Sequence, residues 1–440
     1  MMRRTLSESV VRLAGAPRRL FEGRAAGLIK GRHAAVAGLI SIGLRAFLLF
    51  GKFAFIVVLA KFTDTSTVGI YALLVTIVTI AIYIIGLEIH TFTTREIVSD
   101  HSSGHGGVHI QSHLLTLAGI FGIAVPIVWG FTFWLGIAGK FNFLLLAAII
   151  LLETFGQELG RYLLVLSRPV ASNLLQFIRG AAWMPFPIIM LLTGHRVAPV
   201  DTILLGWLGG GILACLFGFW SIRAYLRTLH PYRLAWLSRA FFSARHYFVV
   251  AMLTQVQYYS DRFIVQRVMG EAAVGVLSFY QSFANTMVTF VQTGVISVML
   301  PRLLLAAKQD DRAAESRVRR AMFGWAMVLA VSISGSLAIG LPFLLRQMNK
   351  MAYVADLPVF YVLLFGNVIL VAGLVVHLSL YARRRDSDLM RVSLILIPLA
   401  LLVNILIVPL LGIAGAACTF VATAVLDFLV KYWLLTRQRR

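Results

Sequence analysis

Along most of the chain, clusters of charge are separated by apolar runs of 20 or more residues. A helix of about 20 residues spans a hydrocarbon core roughly 30 Å thick, so one such run after another leaves few folds open. In lipid the backbone must satisfy its own hydrogen bonds, which makes the runs helices and not strands. Composition agrees: 59% of the 440 residues are hydrophobic and 13% charged. A soluble domain uses about 25% charged residues to cover its surface. The expected fold class is an all-α polytopic membrane protein.

Run length and flanking punctuation place twelve helices. They lie near 38–60, 67–88, 113–136, 142–165, 171–193, 201–222, 245–267, 274–298, 320–342, 357–381, 390–410 and 412–435. Only Pro409, Leu410 and Leu411 separate the last two. The positive-inside rule tests the count. With both termini in the cytoplasm, inward-facing segments hold 30 of the 40 Lys and Arg. Outward-facing segments hold Lys61, Lys140, Arg196, Arg267, Arg346 and Lys350, and inverting the chain would reverse the ratio. The expected organisation is a basic cytoplasmic arm (1–36), a six-helix lobe (37–225), a cytoplasmic linker (226–244) and a second six-helix lobe with a short basic tail (245–440).

The net charge of +22 is spread between hydrophobic runs, as topology signals are, and not over one face of a soluble domain. Nucleic acid is therefore not an expected partner. The Arg- and Ala-rich arm reads as a surface segment touching anionic headgroups, in preference to a transit peptide. Cys215 and Cys418 lie inside apolar runs, outside any CxxC or disulfide pattern, and suit core packing. No loop exceeds roughly 25 residues, which leaves no room for a soluble catalytic domain. No Walker A, HExxH or nucleophile-elbow pattern occurs, so neither an enzyme nor a cofactor or metal site is expected.

Two stretches echo each other about 208 residues apart. Phe55-Ile56-Val57 precedes Val68-Gly69-Ile70-Tyr71, and Phe263-Ile264-Val265 precedes Val274-Gly275-Val276. Both fall at the same place in each six-helix half, running the same way through the membrane. Parallel repeats of this kind are common in transporters, with the substrate site between the halves near the midplane.

A charge in the bilayer core costs at least about 2.5–3.5 kcal/mol and normally faces a partner or a wet cavity. Embedded cations are Arg45 and Lys52 in the first helix, Arg179 in the fifth and Arg262 in the seventh. Embedded acids are Glu153 and Glu158 in the fourth helix, Asp261 in the seventh and Asp427 in the twelfth. Adjacent residues on a helix point about 100° apart, so Asp261 and Arg262 are not expected to face one spot. Ion pairing, Glu158 with Arg161 or Glu153 with a cation of another helix, would explain single residues. Four cations exceed what packing needs and suit an anionic ligand such as a phosphate or pyrophosphate.

His101, His105, His109 and His113 recur every fourth residue, but the glycines and serines between them favour a solvated loop over a helical metal site. Gly209-Gly210-Gly211 and the pair Pro185 and Pro187 should either loosen their helices or let neighbours pack closely.

Four places resemble the polysaccharide-biosynthesis flippases of the O-antigen (Wzx-type) group, within the multidrug/oligosaccharidyl-lipid/polysaccharide (MOP) exporter superfamily. They are Gly51-Lys52-Phe53 leading to Val68-Gly69-Ile70-Tyr71; Gly86-Leu87-Glu88 with Thr91 to Ile97; Glu153 to Arg161 with Ser167-Arg168-Pro169 and Asn173; and Tyr258 to Phe263. The resemblance covers roughly residues 35 to 435. It implies two six-helix bundles in a V around a central cavity, in a bacterial cytoplasmic (inner) membrane. It also implies movement of an undecaprenyl-pyrophosphate-linked sugar unit from the inner to the outer leaflet, for O-antigen or exopolysaccharide synthesis. Arg45, Lys52, Arg179 and Arg262 would bind the pyrophosphate or acidic sugars. Glu153, Glu158, Asp261 and Asp427 would pair with them or answer coupling cations. Drive would come from an H+ or Na+ gradient or the membrane potential. Expected partners are the lipid-linked oligosaccharide, membrane lipid, and a polysaccharide polymerase with its chain-length regulator. The long basic arm departs from compact members of the group.

Two other readings compete. Embedded acids alone would suit a cation-coupled multidrug exporter of the same superfamily, and the excess of embedded cations argues against it. A membrane-embedded polymerase or ligase normally needs a large outer loop to hold its acceptor, and the chain has none.

Overall fold

The computed structural model describes residues 38, 40, 41, 43–99, 106–193, 199–228, 231, 232 and 234–437, and every regular element among them is helical. The basic arm, His101 and His105 lie outside the described residues. The helices are α1 (Gly43–Phe62), α2 (Thr65–Gly86), the short α3 (His90–Ser99), α4 (Gly106–Trp134), α5 (Phe143–Val165) and α6 (Pro169–Leu192). They continue with α7 (Pro199–Ile222), α8 (Leu234–Met269), α9 (Glu271–Lys308), α10 (Arg312–Gln347), α11 (Leu357–Ala382) and α12 (Asp386–Thr436).

Ten of these are long and apolar enough to cross a membrane. One of the ten, α12, is two crossings. Its 51 residues would run about 76 Å if straight, far beyond the hydrocarbon thickness. Gly412 breaks it with φ 60° and ψ −141°, a region open essentially to glycine alone. The chain reverses there: Arg385 at the start of the element donates to the Leu434 carbonyl near its end, at 2.6 Å. The twelfth crossing is α8, which is too polar for the apolar count because it carries Gln255, Asp261, Arg262 and Gln266 on buried or half-buried positions. A helix of that composition belongs against a wet interior and not in lipid.

Several helices on the second half of the chain run past their expected ends. Helix α10 extends over 312–347 where hydropathy gives 320–342, because helical hydrogen bonding continues after the first charge has left the apolar layer. The expected linker, 226–244, is already helical from Leu234. There Trp236 packs with Ile89 and Phe92, and its indole donates to His109 Nδ1 at 3.0 Å.

That contact overturns the loop reading for the second half of the histidine series. Helix α4 starts at Gly106, and His109 and His113 are buried one turn apart, with His113 Nδ1 2.7 Å from the Tyr162 hydroxyl. Gly107 makes this possible, since a Cβ there would lie 2.6 Å from the Tyr225 carbonyl oxygen. Close packing outweighs the poor helix propensity of glycine. No cluster of three or more His, Cys, Asp or Glu placed to hold a metal ion occurs among the described residues.

The repeat meets itself in space. A Cβ on Gly69 of α2 would come within 1.8 Å of the Glu271 carbonyl oxygen of α9, and one on Gly275 within 2.0 Å of the Thr65 carbonyl oxygen. Gly69 and Thr65 correspond to Gly275 and Glu271 at one common offset, so the two halves touch through equivalent residues about a pseudo-twofold. Small residues let membrane helices approach to this distance. The same end carries Lys140 Nζ–Glu271 Oε1 at 2.6 Å and Lys350 Nζ to the Thr63 carbonyl at 2.7 Å.

Candidate substrate-binding cavity

Between the halves lies a cavity of about 500 Å³, closed at the Gly69–Gly275 end. One face of α2, from Tyr71 to Tyr83, lines it from one side. One face of α9 lines it from the other, through Ser278, Ser282, Asn285, Thr286 and Thr289. This spacing, at i, i+4, i+7, i+8 and i+11, is a helical stripe. The stripe carries no charge and so is absent from the charged candidates, although its spacing is visible in the sequence.

Lys52, Arg179, Arg262 and Glu153 all line this cavity. Arg179 sits in a π-helical segment, 178–182, of α6. Such segments are frequent at functional sites. Gly156 leaves room for its chain, since a Cβ there would be 3.0 Å from Arg179 Cδ. Arg179 forms an ion pair with Glu153 at 3.3 Å and donates to the Glu153 carbonyl at 3.0 Å. The other Glu153 oxygen accepts from the Trp207 indole at 2.8 Å. Trp207 stacks on Trp183, with ring centres 5.9 Å apart, and Trp183 donates to the Arg179 carbonyl. Pro185 and Pro187 belong to the break in α6, whereas Gly210 admits Trp183 and leaves α7 continuous.

Lys52 is accessible in the cavity and, among the described residues, makes no hydrogen bond or ion pair. It is held beside Arg179 because α1 and α6 approach at glycines: a Cβ on Gly180 would be 3.8 Å from Lys52 Cε. Arg262 reaches across from α8, donating to Gln281 Oε1 at 3.2 Å and to Thr76 Oγ1 of α2 at 2.9 Å, with its guanidinium 5.3 Å from the Tyr259 ring centre. None of these partners is anionic. Asp261 accepts from the other end of the same Gln281 amide at 2.5 Å. Asp261 and Arg262, expected not to face one spot, both meet the side-chain amide of Gln281, because each side chain is long enough to bend toward it.

The remaining candidate residues lie off the cavity lining. Arg45 donates to Asn173 at 3.1 Å, Glu158 is paired with Arg161, and Asp427 is 2.7 Å from Lys431. The last partner, a buried lysine of the final helix, reads in sequence as part of the basic tail. The cavity thus gathers three cations against one carboxylate, and that carboxylate is bound by Arg179 and Trp207.

No protein-family model matches the chain, and no curated protein matches it by sequence. Solved structures do match its fold. An inward-facing multidrug resistance MATE family transporter of the MOP superfamily aligns at TM-score 0.70 and 10% identity, over 91% of this chain and 97% of that one. The lipid II flippase MurJ in an inward closed conformation aligns at TM-score 0.72 and 13% identity, over 91% and 87%. This chain has the fold of the MOP-superfamily transporters. An outward-facing MATE transporter aligns less well, at TM-score 0.59 and 13% identity over 92% and 94%.

Proposed function

We propose that this protein moves an anionic, lipid-linked saccharide across a bacterial cytoplasmic membrane by alternating access, for surface polysaccharide synthesis. The observation that carries the reading is the unmatched cationic charge of the cavity, above all Lys52. A cation without a carboxylate partner inside a bilayer is costly unless a ligand or water answers it. Lys52, Arg179 and Arg262 would hold a pyrophosphate, with Arg179 and Arg262 supplying forked donors and Lys52 a point charge. The Ser, Thr and Asn stripe of α9 faces the other side, where sugar hydroxyls would lie. Tyr71, Trp183 and Tyr259 offer ring faces to the sugars. Arg45, Glu158, Asp261 and Asp427 then act as packing or positioning residues, or respond to an H+ or Na+ gradient. The arginine-rich end of the bundle faces the cytoplasm, so the closed Gly69–Gly275 end faces outward and the cavity is poised to load from the inner leaflet.

Export of cationic drugs is the rival transport reading, and the charge of the cavity disfavours it. Replacing Lys52 with Ala should abolish polymer export while the protein still reaches the membrane. Full export by that variant would remove Lys52 from the substrate site.

A further inference from the structure

A second cavity, of about 600 Å³, opens at the arginine-rich end, where the end of α9 meets the turn between α11 and α12. Its lining includes Leu304, Lys308, Tyr381, Arg383, Arg384 and Asp386. The arginines around it divide into two groups. Arg383 donates to both oxygens of Glu315, at 2.9 and 3.2 Å, and Arg385 pairs with Asp388 at 2.5 Å. The side chains of Lys308 and Arg384, both exposed, have no hydrogen-bond or ion-pair partner among the described residues. Arg384 is held outward by a left-handed backbone, φ 57°, while its neighbours turn back to carboxylates. Asp386 is the one acid in the lining. It opens the first turn of α12, where the unbonded amides contribute partial positive charge that offsets it. Apolar surface adjoins the cations, with Leu304 and Tyr381 exposed at the rim.

We infer that this cavity binds the phosphate headgroup of an anionic glycerophospholipid, with Lys308 and Arg384 on the phosphate and the acyl chains along Leu304 and Tyr381. The inference rests on the membrane-spanning fold and is independent of which substrate the central cavity carries. Basic pockets between membrane helices at the charged face of a bundle recognise anionic headgroups in this way. Free phosphate shares the headgroup chemistry, but it would leave the apolar rim unused.

The test uses the full-length protein in detergent, stripped of lipid and then titrated with phosphatidylglycerol, phosphatidylethanolamine, phosphatidylcholine or inorganic phosphate. Thermal stabilisation and lipid retention in native mass spectrometry are read together. Phosphatidylglycerol should bind and stabilise in preference to the other three. Lys308→Ser with Arg384→Ser should weaken that binding roughly tenfold or more, and each single change about fivefold. Lys308→Arg with Arg384→Lys should retain it, as should Arg320→Ser with Arg391→Ser, which removes equal charge from the same end outside the cavity. Should the double Ser variant fail to fold, the single variants carry the test. Equal loss in the outside pair, unchanged binding in the cavity variants, or equal response to inorganic phosphate or to the zwitterionic lipids would overturn the assignment.

Discussion

Adding one methyl group to each half of the protein at Gly69 and Gly275 should drive the halves apart at their closed end. The two positions face each other's helix backbone, and each new Cβ would fall about 2 Å or less from a carbonyl oxygen. Ordinary van der Waals separation is about 3.5 Å, so α2 and α9 must part by roughly 1.5 Å. Backbone oxygens cannot rotate away as a flexible side chain can. Overpacking of this kind costs about 1–3 kcal/mol. One separation relieves both clashes, so the cost is shared by the two substitutions and not doubled. It falls only on the closed state, and a differential of that size shifts a two-state equilibrium about 5- to 150-fold. The Lys140–Glu271 bridge cannot hold the seal alone. Its lysine is 39% exposed, and pairs so placed contribute about 0.2–1 kcal/mol.

Unfolding is not the expected outcome, because Ala is the better helix former by about 1 kcal/mol. The assay is a distance distribution between spin labels at Lys61→Cys and Arg346→Cys, two exposed positions at the closed end. The background replaces Cys215 and Cys418, both free thiols. Gly69→Ala/Gly275→Ala should move the population to longer distances. An unchanged distribution in a well-folded double variant would show that these glycines do not form the seal.

Replacing Glu153 with Gln should lower thermal stability by about 1–3 kcal/mol, because Arg179 loses its counter-ion, and should tighten binding of inorganic pyrophosphate. Gly412→Ala should destabilise by about 1–3 kcal/mol in thermal unfolding, since the turn needs a backbone conformation closed to alanine. Burial, helped by the nearby Arg161 guanidinium, pushes His90 down to about 4. Between pH 6.5 and 4 the unfolded chain binds this proton and the folded one does not, so stability falls as pH drops through that window, by up to about 3 kcal/mol. His90→Gln should flatten the decline in a pH series of thermal unfolding.

The crossings were legible in the sequence because twenty apolar residues have one solution in lipid. Even α8, with its buried Gln, Asp and Arg, stood out by position once the charges on either side were assigned. The turn at Gly412 was visible only as a short spacer, since a glycine's φ is not written in hydropathy. Among the candidate site residues, sequence identified Lys52, Arg179, Arg262 and Glu153, which share a cavity, together with four that do not. Depth along a helix can be counted from its ends, but rotation toward a neighbour depends on packing. The π-helical segment that aims Arg179 and the glycines that admit it are examples. Lys431 was missed as the partner of Asp427 because a basic residue near the last helix end reads as tail. The halves' contact was present as the Val-Gly echo, whose meaning appears only when the two copies meet.

The most direct test follows lipid-linked oligosaccharide on each membrane leaflet in cells lacking this protein, and in cells given back the intact chain or Lys52→Ala. If the protein is a flippase of this kind, the lipid-linked unit accumulates on the inner face of the deletion cells, relieved by the intact protein and not by the variant. A normal leaflet distribution in the deletion cells, with unaltered surface polysaccharide, would contradict it.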